Sequence, residues 1–398
     1  MDVQARAQEL ADGLVASGAE VGLQIAAYLH GELIVDVHAG RADASTGRPV
    51  DDRTLFDVPE MGLVATVVHV LAERGLIEYG VPVAAYWPEF GAHGKTGITV
   101  AHVLTHSAGV PQAPDGLVPE DFADWDALCA RVADMRPLWR PGTAVGAHVL
   151  TFGIILGEVV RRVTGRPIAD VLRAEVAAPL GIADDLFFGV PARHLPRLAR
   201  MEGHDSTDPV LHFPEGSLFQ RVVPPAWRDG AELANRTEYE AMSMPCSGRG
   251  TAQALARLYA ALIGEVDGVR LFPPELTSRL PSTMTMRQDR VMGGPIPRGL
   301  GFGVASVDTA SYTAFGDTNN CGVAFADPSR GLSVAVLFNL LALRLPAPGY
   351  EIADEIRAVL GLEPRLIQAV RRRQADRAIR RFRRRAVRRR RRDWTSAD

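Results

Sequence analysis

The sequence is almost free of lysine. Lys95 is the only one among 44 basic residues in a chain of 398, so arginine carries nearly all of the positive charge. Any mechanism that depends on a lysine amine therefore has a single candidate position. Cysteine is scarce as well: Cys129, Cys246 and Cys321 make no disulfide framework, and we expect free, buried thiols.

Long apolar runs are also missing. No run reaches the ~18–20 residues that a bilayer-spanning helix needs, so we expect no transmembrane segment. The residues from Met1 to Arg6 do not form a basic region followed by an apolar core, so we expect no secretory signal and a cytoplasmic protein. Phosphate-binding loops, dinucleotide fingerprints, His-Glu-x-x-His and Cys-x-x-Cys motifs are absent, which predicts neither a cofactor nor a bound metal.

The order of the predicted elements indicates the α+β class. Alternating apolar residues predict strands at 21–29 and 32–37, and further strands follow residue 301. Helical spacing dominates the residues between them. Strands at both ends with helices between them predict an antiparallel sheet built from both ends of the chain, flanked by helices and carrying a large helical insert.

We expect one domain over residues 1–361. Its sheet comes from about 18–58 and 295–361, and its helical region covers about 59–294. An Arg-rich tail follows at 362–398.

The tail concentrates positive charge. Residues 365–398 hold 15 arginines and three aspartates, while the rest of the chain is net acidic. One interpretation is a solvated charge run. The other is a basic amphipathic helix over 365–392 that contacts an anionic partner, namely a membrane surface, nucleic acid or an acidic protein.

Four stretches carry a recognisable pattern: 36–49, 72–109, 139–153 and 316–328. The second is the most specific, with Tyr86-Trp87-Pro88-Glu89-Phe90 followed by Leu104-Thr105-His106-Ser107-Ala108-Gly109. Together they resemble the serine β-lactamase and penicillin-binding-protein superfamily, in its class C-like and esterase-like branch. The resemblance covers nearly all of 1–361 and implies a β-lactamase/transpeptidase-like fold.

The nucleophile motif of that family is missing. The resemblance implies a Ser-x-x-Lys pair at the start of the first long helix, yet none can be written here, because Ala92 stands three residues before Lys95. Glu60 stands roughly at the serine position, in a segment that we interpret as about two residues short, and the lysine has no counterpart. The tripeptide that starts at Lys95 spells Lys-Thr-Gly. It lies in the loop before residues 98–100, however, far from the strand on which the resemblance places that motif.

The other two motifs are replaced as well. Ala147-His148 stands where the resemblance implies a tyrosine base, and Asp317-Thr318-Asn319 stands where it implies Lys-Thr-Gly or His-x-Gly. A serine needs an adjacent base to become a nucleophile. Loss of the nucleophile and both bases therefore predicts the loss of covalent acyl transfer.

The replacements suggest a different site. We expect Glu60 and Asp317 to face one pocket with His148 nearby, which is a plausible acid–base set, and mutual repulsion should raise the pKa of one carboxyl. The two carboxylates could also hold a cationic ligand or a hard metal. Four further residues are predicted to bind the ligand: Asn319, Asn320, Ser247 and Arg249.

Each assignment has a structural alternative. Glu60 is otherwise a carboxylate that interacts with a helix dipole, and His148 a structural histidine near a helix start. The segment that contains Ser247 and Arg249 is otherwise a Gly-rich helix entry capped by Thr251.

Three functions remain open on this basis. The first is a repurposed enzyme or small-molecule binder that performs non-covalent acid–base chemistry on an ester-, amide- or polyketide-like substrate. The second is a non-catalytic partner protein that acts through its tail. The third is a residual hydrolase with an unrecognised nucleophile, such as Ser107, Ser247 or Cys321.

Overall fold

The computed structural model describes residues 2–203, 216–227, 230–282, 285–294, 296–304, 314–341 and 348–362. Strands lie near both ends of this chain, with short pairings between them. Their bounds are β1 (Gly22–Leu29), β2 (Glu32–Asp43), β3 (Arg48–Pro49), β4 (Phe56–Val58), β5 (Leu186–Phe188), β6 (Glu202–Gly203), β7 (Gly248–Gly250), β8 (Gly303–Val304), β9 (Phe315–Asn319), β10 (Gly322–Asp327), β11 (Leu332–Phe338) and β12 (Leu340–Leu341).

Helices fill most of the sequence between the two groups of strands. The α-helices are α1 (Val3–Ala16), α2 (Met61–Glu73), α3 (Val83–Tyr86), α4 (Val100–Leu104), α5 (Trp125–Ala133), α6 (Thr151–Thr164), α7 (Ile168–Leu172), α8 (Leu218–Val222), α9 (Gly230–Ala234), α10 (Thr237–Ala241), α11 (Ala252–Ile263), α12 (Pro274–Arg279) and α13 (Pro348–Val359).

The main sheet joins the two ends of the chain. In the described ranges its strand order is β3-β2-β1-β11-β10-β9-β8, and all neighbouring strands are antiparallel. β1 pairs with β11 from Leu23 opposite Phe338 to Leu29 opposite Leu332. The predicted α+β class, with a sheet built from both chain ends, is confirmed.

One strand is longer than its sequence pattern predicts. β2 continues past residue 37 to Asp43 because Gly40 lets it pass close to the chain before β1. Gly40 has φ +80°, and a Cβ there would lie 2.1 Å from the carbonyl oxygen of Val21. Only glycine accepts that approach. The sequence pattern also predicts strands at 301–307 and 312–315, of which residues 305–307 and 312–313 lie outside the described residues.

Both faces of the sheet are covered. α11 packs on one face against β1, β10 and β11, and α1 and α13 pack on the other. Every residue of β10 and β11 is buried. A strand buried on both faces has no solvent side, which is why Leu332–Phe338 forms a nearly continuous apolar run instead of an alternating one.

α2 lies inside the protein and begins at the edge of the sheet. Its residues 62–71 are all buried, and its apolar character on every side is typical of a helix in a core. It packs against α6 and α7, and it also contacts β9. The first turn of α2 therefore meets the edge of the sheet beside β9.

None of the helices in the described ranges combines the length and the hydropathy that a bilayer-spanning helix needs. The predicted basic segment 365–392 lies outside the described residues.

The single lysine is a buried connection inside the helical region. Lys95 is 0% exposed and follows the 3₁₀ segment Pro88–Gly94. Its Nζ donates hydrogen bonds to the carbonyl oxygens of Ala92 (2.8 Å), Ala133 (2.7 Å) and Met135 (2.5 Å). The three donors of the ammonium group are thus matched to three backbone acceptors, which join this loop to the end of α5.

Replacing Lys95 by methionine should destabilise the fold. The substitution keeps the aliphatic stem but leaves three buried carbonyl groups without their donor, so we expect a loss of about 3 kcal/mol in the free energy of unfolding. Urea denaturation followed by circular dichroism measures it. Arg140→Met, at an exposed position in the same region, is the matched control and should change stability by less than about 0.5 kcal/mol. Equal stability of the two variants would contradict this structural role.

Candidate active site

Glu60 stands at the junction between β4 and α2. β4 ends at Val58, and Glu60 is the N-cap residue of α2, although its side chain makes no capping hydrogen bond. If a Ser-x-x-Lys pair began at position 60, its lysine would be at position 63. That position holds Leu63, which is completely buried. The chain passes directly from strand to helix here, with no cationic side chain one turn into the helix.

Asp317 reaches the start of α2 from the edge of the main sheet. Its Oδ2 accepts the backbone N–H of Gly62 at 3.1 Å, and its Oδ1 accepts the N–H of Thr318 at 2.9 Å. A carboxylate suits this position because the first N–H groups of a helix lack intrahelical partners and carry partial positive charge. Asp317 therefore serves as the anionic cap of α2.

Glu60 and Asp317 are brought together, and both pKa values are raised. Burial is the main cause of the raised pKa of Glu60, and the charge of Asp317 is the next, followed by that of Asp57. Burial also raises the pKa of Asp317, but the N–H groups of Gly62, Thr318 and Met61 oppose the shift. The pKa of Glu60 lies well above its ordinary value, which is the direction that repulsion between two carboxylates predicts. As the pH rises, Glu60 is therefore the carboxyl of the pair that loses its proton last.

Asn319 connects this pair to β4, whereas Asn320 does not. Asn319 Nδ2 donates to the carbonyl oxygen of Val58 at 3.1 Å, and its Oδ1 accepts the N–H of Cys321 at 2.9 Å. The Asn319 side chain also hydrogen-bonds Glu60, which partly offsets the rise in its pKa. Asn320 lies exposed in the turn between β9 and β10.

Arg249 and Ser247 belong to an internal ion-pair network. Arg249 is 3% exposed and lies on β7, which pairs with β4. Its Nε and Nη2 donate to the Glu240 carboxylate at 2.6 and 2.9 Å, and its Nη1 donates to Ser247 Oγ at 2.9 Å and lies 3.1 Å from Asp57 Oδ2. These partners take up the hydrogen-bond donors of the Arg249 guanidinium group, which gives it a structural role between neighbouring segments. The predicted ligand contact of Arg249 and Ser247 stays a prediction. Thr251 caps α11, as the structural alternative expected.

His148 lies in a buried environment before α6. It is 0% exposed, its Nδ1 is 2.7 Å from the carbonyl oxygen of Gly146, and its Nε2 accepts the N–H of Val110 at 3.2 Å. Burial lowers the pKa of His148 to about 4, so the ring is neutral at pH 7. Both ring nitrogens are used by the backbone, and no described hydrogen bond connects His148 with Glu60 or Asp317. Its predicted catalytic role remains a prediction.

No described hydrogen bond joins the side chain of Ser107, Ser247 or Cys321 to a histidine ring or a carboxylate. Ser107 Oγ lies 2.9 Å from Thr105 Oγ1 and 3.3 Å from the carbonyl oxygen of His102. Burial raises the pKa of the Cys321 thiol well above its ordinary value, and neighbouring carboxylates add to the shift. The pKa of Cys246 is raised for the same reasons. Thiols in such surroundings are poor nucleophiles because the thiolate is disfavoured.

A resident metal ion has no evident site in the described part of the chain. No group of three or more histidine, cysteine, aspartate or glutamate residues there could hold one. The carboxylates near Glu60 are bound to backbone N–H groups and to Arg249 instead.

Sequence patterns did not indicate the contribution of Tyr259. This residue lies in α11 and is 0% exposed, and its hydroxyl has no hydrogen-bond partner among the described residues. The hydroxyl oxygen lies 2.2 Å from where a Cβ on Gly62 would stand, and Asp317 Cβ lies 3.5 Å from the same point. An apolar helical pattern gives no sign that one aromatic side chain reaches the first turn of a distant helix.

Comparison with known proteins places these observations in a family. The β-lactamase family model matches residues 7–351. The chain belongs to the β-lactamase family. It is 34% identical over 340 residues to the esterase/β-lactamase LipL of Mycobacterium tuberculosis, which covers 80% of this chain and 77% of the relative.

Two solved structures resemble the chain over most of its length. A family VIII carboxylesterase has a TM-score of 0.80 and 31% identity, covering 89% of this chain and 97% of that one. A penicillin-binding-protein homologue from Caulobacter crescentus has a TM-score of 0.75 and 31% identity, covering 86% and 92%. The predicted β-lactamase/transpeptidase-like fold is confirmed.

The contact between Gly62 and Tyr259 can be tested by a double-mutant cycle. Gly62→Ala should lose about 2 kcal/mol of unfolding free energy, because the new methyl group overlaps the phenol oxygen. Tyr259→Phe should be close to neutral, since it removes a buried hydroxyl that has no partner. In the double variant most of the loss should disappear. Additive effects of the two substitutions, measured by urea unfolding, would show that the two side chains do not meet.

The raised pKa of Glu60 predicts how stability depends on pH. Glu60 binds its proton more tightly in the folded than in the unfolded state, so its contribution is fully present below the unfolded pKa near 4.5 and is lost as pH rises through the folded pKa. The stability of the native protein relative to Glu60→Gln should therefore fall as the pH increases above about 4.5. Unfolding free energies of both proteins between pH 4 and 9 test this. Parallel curves would mean that Glu60 titrates normally.

Proposed function

We propose that this β-lactamase-family protein cleaves an ester-like bond by non-covalent acid–base catalysis, with Glu60 as the group that moves the proton. Amide- and polyketide-like substrates share the carbonyl group that such a mechanism needs. The relatives named as esterases support the choice of an ester. The scarcity of cysteine supports a cytoplasmic location for this activity.

One observation carries the proposal: Glu60 is partly exposed at the start of α2, and its pKa is held well above the ordinary value by burial and by Asp317. A general base works best when its pKa lies near the working pH. An ordinary glutamate is too weakly basic to remove a proton from water. Burial and a neighbouring negative charge correct this, as in other enzymes that use paired carboxyl groups.

Hydrolysis by this route takes two steps. Ionised Glu60 takes a proton from water while the water oxygen forms a bond to the substrate carbonyl carbon. The tetrahedral intermediate then collapses, the bond between the carbonyl carbon and the alkoxy oxygen breaks, and protonated Glu60 returns its proton to the leaving oxygen. Asp317 does not touch the reacting atoms in this scheme. It is a positioning residue that holds the start of α2 and raises the basicity of Glu60.

This mechanism needs no serine, lysine or tyrosine at the family positions. Leu63 and Ala147 are apolar, and His148 is bound to the backbone through both ring nitrogens. A covalent intermediate at Ser107 or Ser247 would form without a described hydrogen bond to a base, and at Cys321 it would need a thiolate that burial and the neighbouring carboxylates disfavour. Glu60 combines partial exposure with a pKa well above its ordinary value.

Glu60→Gln should reduce kcat/KM for p-nitrophenyl butyrate by at least about 100-fold, because it removes the base but keeps the side-chain shape. Asp52→Asn, at an exposed position outside the site, is the matched control and should retain full activity. The native protein should form no covalent adduct with a fluorophosphonate, as read by intact-mass spectrometry. Undiminished hydrolysis by Glu60→Gln, or a stoichiometric adduct at Ser107 or Ser247, would refute the mechanism.

A second function is favoured by the charge segregation in the sequence. The 15 arginines after residue 364 follow a body with net negative charge, which suits association with an anionic membrane surface, nucleic acid or acidic protein. A protein with that role would need no turnover. Absence of hydrolysis by the native protein, with the fold intact, would favour this non-catalytic function over the acid–base mechanism.

A further inference from the structure

Three buried or half-buried oxygen groups lie around the first turn of α2. They come from different elements: Glu60 from the N-cap of α2, Asp317 from β9 and Tyr259 from α11. The Tyr259 oxygen and the Asp317 Cβ both lie within 3.5 Å of one point beside Gly62. Asp317 is also the strongest charge acting on Glu60.

This group contains two carboxyls at one helix end, and only one of them accepts hydrogen bonds from the first turn of the helix. The positive end of α2 is neutralised by Asp317, whose two oxygens accept N–H groups of Gly62 and Thr318. Glu60 is then a second carboxyl at the same helix end. The charge that acts on it next most strongly, Asp57, is negative too.

The nearby guanidinium groups are engaged elsewhere. Arg249 binds Glu240 through two hydrogen bonds and also contacts Asp57. Arg298, the weakest of the influences on the Asp317 pKa, donates its Nη2 to Asp289 at 2.8 Å. Among the described residues, neither arginine is placed to neutralise Glu60.

The phenol of Tyr259 is a separate sign of a missing donor. A tyrosine that is 0% exposed normally finds a hydrogen-bond partner, yet this hydroxyl has none in the described part of the chain. The phenol oxygen occupies space that is open because residue 62 is glycine. A Cβ at that position would overlap the oxygen. A buried phenol oxygen next to Asp317, at the helix end that also carries Glu60, suits a ligand that donates several hydrogen bonds.

We propose that this site binds the primary ammonium group of a small substrate, whose three N–H donors are taken by Glu60, Asp317 and the phenol oxygen of Tyr259. A primary ammonium carries three donors, no acceptor and one positive charge. Charge-assisted hydrogen bonds of this kind are the stronger ones in proteins. The inference rests on the proposed function, and it narrows the substrate to ester-like compounds that carry a primary amine.

Two small compounds that differ in charge test whether the site prefers a cation. Benzylammonium chloride and benzyl alcohol have similar size and the same ring, but only the first is a cation. Benzylammonium should raise the melting temperature of the full-length protein in a saturable way, with sodium chloride matching the ionic strength. Benzyl alcohol at the same concentrations should leave it unchanged. Equal effects of the two compounds, or no effect of either, would overturn the proposal.

Two variants locate the binding. Glu60→Gln and Tyr259→Phe should each weaken benzylammonium binding by about 10-fold or more, measured by isothermal titration calorimetry, since each removes one acceptor or its charge. Asp52→Asn should bind as the native protein does. Circular dichroism checks that each variant is folded, and undiminished binding by both site variants would place the cation elsewhere and refute this assignment.

The outcomes separate this inference from the proposed hydrolysis. If the protein binds benzylammonium but does not hydrolyse the ester, the proposed cation site is supported and the proposed catalytic role of Glu60 is refuted. If the protein hydrolyses p-nitrophenyl butyrate but benzylammonium does not change its melting temperature, the proposed catalytic role is supported and the proposed cation site is refuted. A faster hydrolysis of 4-nitrophenyl glycinate than of 4-nitrophenyl acetate, after subtraction of the uncatalysed rates and lost in Tyr259→Phe, would support both.

Discussion

The antiparallel pairing of β1 with β11 is the constraint on which the rest of the structure depends. It joins strands from opposite ends of the chain, so the residues between them must leave the sheet and return to it. β9 and β10 continue that sheet toward its far edge, where α2 begins. Glu60 and Asp317 are more than 250 positions apart in sequence, and they become neighbours because this pairing closes the fold.

The fold was predictable because its signals are local or repeat along the chain. Strand alternation, helical spacing and turn residues indicated a sheet made from both ends, and the segment from residue 72 to 109 indicated the family. The end of β2 was missed, since the need for a residue like Gly40 depends on how closely another segment passes. Such approaches exist only in three dimensions.

The candidate site was predictable in part. Glu60 and Asp317 were found because they stand at motif positions, but the environment of each side chain was not contained in its motif. His148 and Arg249 also stand at expected positions, yet their polar atoms are used by backbone groups and by Glu240. Tyr259 stands in no motif at all. Long-range partners decide what a polar side chain is free to do, and spacing does not reveal them.

Two carboxyl groups determine the electrostatic character of the candidate site. Glu60 and Asp317 place two carboxyl groups at the start of α2, where position 63 holds leucine. A site of this kind disfavours anionic ligands and favours neutral or cationic ones, because the cost of burying carboxylates is reduced by an opposite charge.

The burial of Lys95 makes it an internal reporter of local opening. Because the chain has no other lysine, a lysine-specific protease or an amine acylating reagent finds no lysine on the folded surface. Reaction at residue 95 requires the loop before α4 to separate from the end of α5, so its rate follows the population of that open form when reclosing is fast. One side chain thus gives a readout of the helical region without any introduced label.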